Sequence, residues 1–157
     1  MQHENLTKFG IAERQLFKAI YLFCSKDDPI TSITLAGAAE EILGKLAKCA
    51  GHTSVLDEEI KGLCELHQTV FGTSANPKEF ADIINNPKNE LKHLMSGNPV
   101  MFDLEEEAVN LIQRGITNYQ KLRPNLIITA FIKFDDAAAA WYRKKAEDLI
   151  KNIQKEI

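Results

Sequence analysis

The chain has 157 residues, of which 45% are hydrophobic and 26% charged, with a net charge of −3. That length suits a single domain spanning 1–157 with a core of its own, and the composition is that of a globular chain rather than a disordered one. The acidic balance excludes an overall basic field of the kind that drives tight, non-specific nucleic-acid binding.

Apolar residues recur at helical spacing from the start. Phe9, Ala12, Leu16, Ile20 and Phe23 form one stripe, which predicts a first helix from Leu6 to Ser25. Lys26-Asp27-Asp28-Pro29 ends it, and a second helix begins with Asp28 as N-cap and Pro29 as its first residue, where a missing N–H costs nothing. That helix carries Leu35, Ala38, Ala39, Ile42, Leu46 and Cys49 and stops at Gly51. A third starts at Ser54, with Asp57 three residues on, and is expected to bury Leu56, Ile60, Leu63, His67 and Val70. A short helix from Lys78 to about Asn85 follows, then a separate one from Pro87 to Ser96 capped by Asn86. Asp103, with Glu106 three residues later, opens the next, whose stripe is Val109, Ile112, Ile116 and Tyr119. Arg123-Pro124-Asn125 breaks the chain. Leu126 to Ile132 reads as a helix turn, since no partner strand exists. The last helix, Asp136 to Lys155, places Ala139, Tyr142, Ala146, Leu149 and Ile153 on one face. The expected fold is an all-α bundle of six to seven helices.

Three polar residues stand among apolar ones. On the second helix Glu41 faces solvent beside Lys45, whereas Glu40 lies with Ile33, Ala36, Gly37, Leu43, Gly44 and Ala47. A carboxylate there must find a partner or gain a proton. Either it caps a helix or pairs with an arginine such as Arg14 or Arg114, or it serves a functional site. Asn118 lies at helical spacing with Leu111, Gly115 and Leu122, and Arg114 is four residues before it. An interhelical hydrogen bond is the preferred reading of Asn118, with a ligand-binding pair of Arg114 and Asn118 as the other.

The stretch Asn86-Pro87-Lys88-Asn89-Glu90-Leu91-Lys92-His93 gathers a cation, an amide and an imidazole at a helix start, where free N–H groups and the helix dipole favour phosphate. His67 reads as a hydrogen-bonded core residue, His52 as a cap-loop residue and His3 as terminal. No E-x-x-H pair, Walker loop, Rossmann glycine pattern or serine elbow occurs. Cys24, Cys49 and Cys64 are never spaced as C-x-x-C and fall within helical patterns as small hydrophobes, which argues against a zinc or redox centre. The polar start MQHENLTKFG lacks a signal-peptide core, and no apolar run nears the ~20 residues of a membrane span. A reduced, cytoplasmic protein with no membrane contact, metal or cofactor is expected.

The segment Leu35-Ala36-Gly37-Ala38-Ala39-Glu40-Glu41-Ile42-Leu43-Gly44-Lys45, followed by Lys88-Asn89-x-x-x-His93, resembles the HEPN superfamily, within it the abortive-infection V branch. The resemblance covers about a third of the chain. It implies an all-helical, usually dimeric bundle, in many members a metal-independent endoribonuclease built on an arginine, a polar residue and a histidine. Lys88 stands where that pattern has arginine, and a lysine cannot grip phosphate with a planar fork. His93 shares a helix face with Asn89 (i, i+4) but lies about 140° round from Lys88.

The resemblance supports two functions. In a nuclease, His93 would act as general acid or base on the ribose hydroxyl or the leaving oxygen. Lys88 would neutralise phosphate, Asn89 would orient His93, and Glu40 would hold a cation or the histidine tautomer. In a non-catalytic module of a bacterial stress or defence system these groups are structural, and the work is homodimerisation or binding of an antitoxin-like protein. Lys88 in the arginine position and the acidic pI favour the module over RNA as partner.

Overall fold

The computed structural model describes residues 6–92 and 101–156. Among them lie six helices: α1 (Lys8–Cys24), α2 (Pro29–Cys49), α3 (Val55–Phe71), α4 (Pro77–Lys92), α5 (Leu104–Leu122) and α6 (Thr129–Glu156). No strand occurs among the described residues. The all-helical expectation holds.

Side chains close the open N–H groups at four helix starts, as the sequence proposes for three of them. The N–H of Thr31 donates to Asp28 Oδ1 at 3.1 Å, that of Asp57 to Ser54 Oγ at 3.3 Å and that of Glu106 to Asp103 Oδ1 at 3.0 Å. Thr7 caps α1 in the same way, its Oγ1 accepting from Gly10 N at 3.0 Å.

α1, α2 and α5 form the centre of the bundle. Leu16, Ile20, Ile33, Leu43, Ile112 and Tyr119 join one buried cluster, which Phe131, Phe134 and Ala138 of α6 complete. The α1 and α5 backbones approach closely at Gly115, where a Cβ would come within 2.9 Å of Leu16 Cδ1. Tyr119 keeps its ring in the core and donates its hydroxyl to Glu13 Oε1 at 2.6 Å. Ser32, fully buried, donates to the carbonyl of Ala19 at 3.0 Å and ties α2 to α1.

Five expectations need correction. The chain between 77 and 92 is one helix, not two, and Pro87 lies inside it. Proline removes one helical hydrogen bond and crowds the preceding turn. The helix runs on because the next residue, Lys88, is fixed by a buried ion pair and Leu91 packs on the core. α6 likewise begins at Thr129, so the segment after Leu126 and the last helix are largely continuous.

The buried arc of α2 is the Glu40 face, Ile33, Ala36, Gly37, Ala39, Glu40, Leu43, Gly44 and Ala47, whereas Leu35, Ala38, Ile42 and Leu46 are only half-buried and Cys49 is exposed, as is Cys24. α2 lies between α1, α4 and α5, so packing rather than periodicity selects its inner face. α3 contains no fully buried residue. Leu56, Ile60 and Leu63 are half-buried, Val70 is exposed, and His67 is half-buried with Nδ1 3.0 Å from the carbonyl of Thr73. Finally, the α6 face of Ala139, Tyr142, Ala146, Leu149 and Ile153 is exposed, while Phe131, Phe134 and Ala138 make its core contact. None of the described helices is long and apolar enough to cross a membrane.

Candidate functional site

The site grows from the polar residues that α2, α4 and α5 turn inward. Glu40 is 3% exposed and Lys88 7%, and Lys88 Nζ donates to Glu40 Oε2 at 3.2 Å. The carboxylate that stood out on α2 therefore pairs with the cation that stood out on α4. The Lys88 stem runs past Gly37, where a Cβ would lie 3.5 Å from Lys88 Cδ in ordinary van der Waals contact. Gly44, two turns on, would place a Cβ 3.3 Å from Ser54 Cβ and 3.4 Å from Asn118 Nδ2, so it admits the start of α3. Of the two glycines, Gly44 has a packing reason, since a Cβ there would crowd Ser54.

Asn118 is fully buried, and its Oδ1 accepts from the N–H of Val55 at 3.0 Å. This is the interhelical bond expected of it, and it satisfies an open N–H in the first turn of α3. Its Nδ2 is buried without a hydrogen-bond partner. Lys121 reinforces the junction, donating to the carbonyl of Thr53 at 2.9 Å and to Glu58 Oε2 at 2.7 Å.

Arg114 is 3% exposed, and its Nη1 stands 3.5 Å from Glu59 Oε2, a long contact to a partly exposed carboxylate. Its Nε has no partner. Glu107, two helical turns earlier on α5, is 8% exposed, and its Oε1 is also unpartnered. Burial pushes the Glu107 carboxyl up to about 7, against the pull of Arg114 and Lys88. Glu59 is raised as well, mainly by burial, with Arg114 opposing. Arg114, Glu107 and Glu59 line a cleft of about 380 Å³ between α3, α4, α5 and α6, walled by Val55, Ile83, Pro87 and Tyr142.

The sequence-derived site is therefore brought together in part. Glu40 and Lys88 meet; Arg114 lines the cleft; Asn118 acts at the α3 junction beside it. Asn89 lies half-buried on α4, and His93 falls outside the described residues. Glu59 and Glu107 were missed. Glu107 follows Glu105 and Glu106 in the first turn of α5 and resembles an acid placed there for the helix dipole. Stepping back seven residues from Arg114 would have found it on the inner face. No group of three or more His, Cys, Asp or Glu among the described residues is placed to hold a metal ion. The chain matches no protein-family model, no curated protein and no solved structure.

Proposed function

We propose that this chain is a HEPN-like interaction module that works as a homodimer in a bacterial stress or defence system. The observation that carries the reading is an exposed apolar stripe on α6, of which Tyr142 also borders the cleft. Ala139, Tyr142, Ala146, Leu149 and Ile153 follow a strict 3-4-3-4 spacing, the seam of a two-helix interface. Tyr142, Leu149 and Ile153 are each half or more exposed. Three large apolar side chains and two alanines at that spacing are costly to leave in water and can pair with a second copy about a two-fold axis.

The nuclease reading asks more of Lys88. To neutralise a phosphodiester it would have to leave Glu40 and expose a carboxylate that is otherwise paired in the interior. The pair accounts for Lys88 and Glu40 as scaffold. The experiment that separates the readings incubates labelled single-stranded RNA with the purified chain in excess chelator, beside His93→Ala. Intact RNA with both proteins is expected. Cleavage that survives chelation and vanishes with His93→Ala would replace the module with the endoribonuclease.

A further inference from the structure

The helices contribute unequally to the buried cluster. Among the described residues α1, α2, α5 and α6 supply all of its buried members. None comes from α3, and α4 reaches the cluster only through the half-buried Leu91. The two outer helices hold each other instead. Leu56, Ile60 and Leu63 of α3 are half-buried, and the His67 ring lies 4.8 Å from that of Phe71 on α3 and 6.3 Å from that of Phe80 on α4.

What joins this hairpin to the bundle is mostly polar. Lys48 Nζ stands 2.6 Å from Asp57 Oδ2, Lys121 holds Glu58 and the carbonyl of Thr53, and Arg114 reaches Glu59. Each of these ion pairs has a partly exposed member, and such pairs contribute little. The Lys88–Glu40 pair is the exception, since both of its members are buried. Apolar packing does not fill the seam either: the cleft of about 380 Å³ lies along it, lined by Val55, Ile83, Ile84 and Pro87 on the hairpin side. Stability follows mainly from apolar burial, so an element attached in this way comes away at lower free energy than the bundle unfolds.

We propose that α3 and α4 form a flap that lifts off α2 and α5 as one unit while the bundle of α1, α2, α5 and α6 stays folded, with the Lys88–Glu40 pair as its latch. The pivot is the start of α3. There the chain leaves α2 through the exposed Gly51, His52 and Thr53, and the buried Ser54 sits against Gly44. Lifting separates the latch and brings water to the α5 face that carries Glu107 and Arg114. The flap lies within one chain, so the proposal does not rest on the homodimer reading.

Native-state hydrogen exchange of the full chain across a urea series, read amide by amide, tests it. Amides of α3 beyond its first turn and of α4 should follow one shared, urea-dependent isotherm, below the one shared by α1, α2 and α5. Glu40→Gln should speed exchange on α3 and α4 by at least about tenfold. Ile20→Val, a change in the bundle core, should speed exchange on α1, α2 and α5 by roughly fivefold and leave α3 and α4 as they were. A hairpin isotherm that coincides with that of the bundle, or a hairpin that responds to Ile20→Val as the bundle does, would overturn the flap. Exchange on α3 and α4 without urea dependence would also overturn it, because that reports fraying of single residues. Hairpin exchange unchanged by Glu40→Gln would remove the latch.

Discussion

Removing one charge of the Glu40–Lys88 pair should cost far more than removing both. At 3.2 Å and an effective dielectric of about 20, the attraction is about 5 kcal/mol. Most of it is spent against the desolvation of two groups that are each more than nine-tenths buried. Glu40→Gln keeps the shape and leaves the Lys88 ammonium without its nearest counter-charge. The expected loss is roughly 3–5 kcal/mol, at the lower end because the Glu107 carboxylate also acts on Lys88. At roughly 2–4 °C per kcal/mol for a chain of this length, the melting temperature should fall by about 10 °C. Lys88→Met keeps the stem beside Gly37 and strands Glu40 without its counter-charge. The double variant removes both charges and should recover most of the loss. Urea denaturation of the four proteins at neutral pH closes the cycle, with a coupling of at least about 3 kcal/mol between the sites. Glu40→Gln within about 0.5 kcal/mol of wild type, or additive losses in the double variant, would refute the reasoning.

Other outcomes follow from the same packing. Gly62→Ala on α3, where a Cβ meets nothing within 4 Å, should stabilise the protein by about 1 kcal/mol. Gly115→Ala should instead destabilise it by about 1–2 kcal/mol, since Leu16 must move to clear the new Cβ, and urea midpoints would expose any reversal of that order. Glu107 should set a pH slope. Its folded carboxyl titrates near about 7 against an ordinary 4.5, so its contribution is fully present below about 4.5 and is lost as pH rises through about 7. Arg114, Lys88, Glu106 and Glu40 face it and modulate the slope, and the raised Glu59 carboxyl tilts it the same way. Glu107→Gln should flatten the fall in urea stability between pH 5 and pH 8, by a few kcal/mol at most at about 1.4 kcal/mol per pKa unit. An unchanged slope would show that Glu107 titrates normally.

Local chemistry made much of this fold legible in the sequence. The capping side chains of Asp28, Ser54 and Asp103 act within three residues, so the starts of α2, α3 and α5 stand where the sequence puts them. The α5 stripe of Val109, Ile112, Ile116 and Tyr119 is buried as its spacing implies. Glu40 stood out because helical geometry alone places it among apolar neighbours. Its pairing with Lys88 did not, because proline is a strong local signal to break a helix, and only the tertiary anchoring of Lys88 and Leu91 overrides it. Glu59 gave no signal, since its contact with Arg114 joins residues 55 positions apart. The α6 stripe shows a different limit. Periodicity reports that a face is apolar, but not whether its partner lies in the same chain.

That last distinction carries the proposed function, and one measurement addresses it: the solution mass of the wild-type chain by light scattering at micromolar concentration, beside Leu149→Asp/Ile153→Asp. Both positions are exposed in the single chain, so the variant should keep its helical circular dichroism and melting temperature at low concentration. The homodimer account predicts twice the 17.6 kDa chain mass for wild type and the single-chain mass for the variant. A monomeric wild type, or a dimer that survives both aspartates, would contradict it.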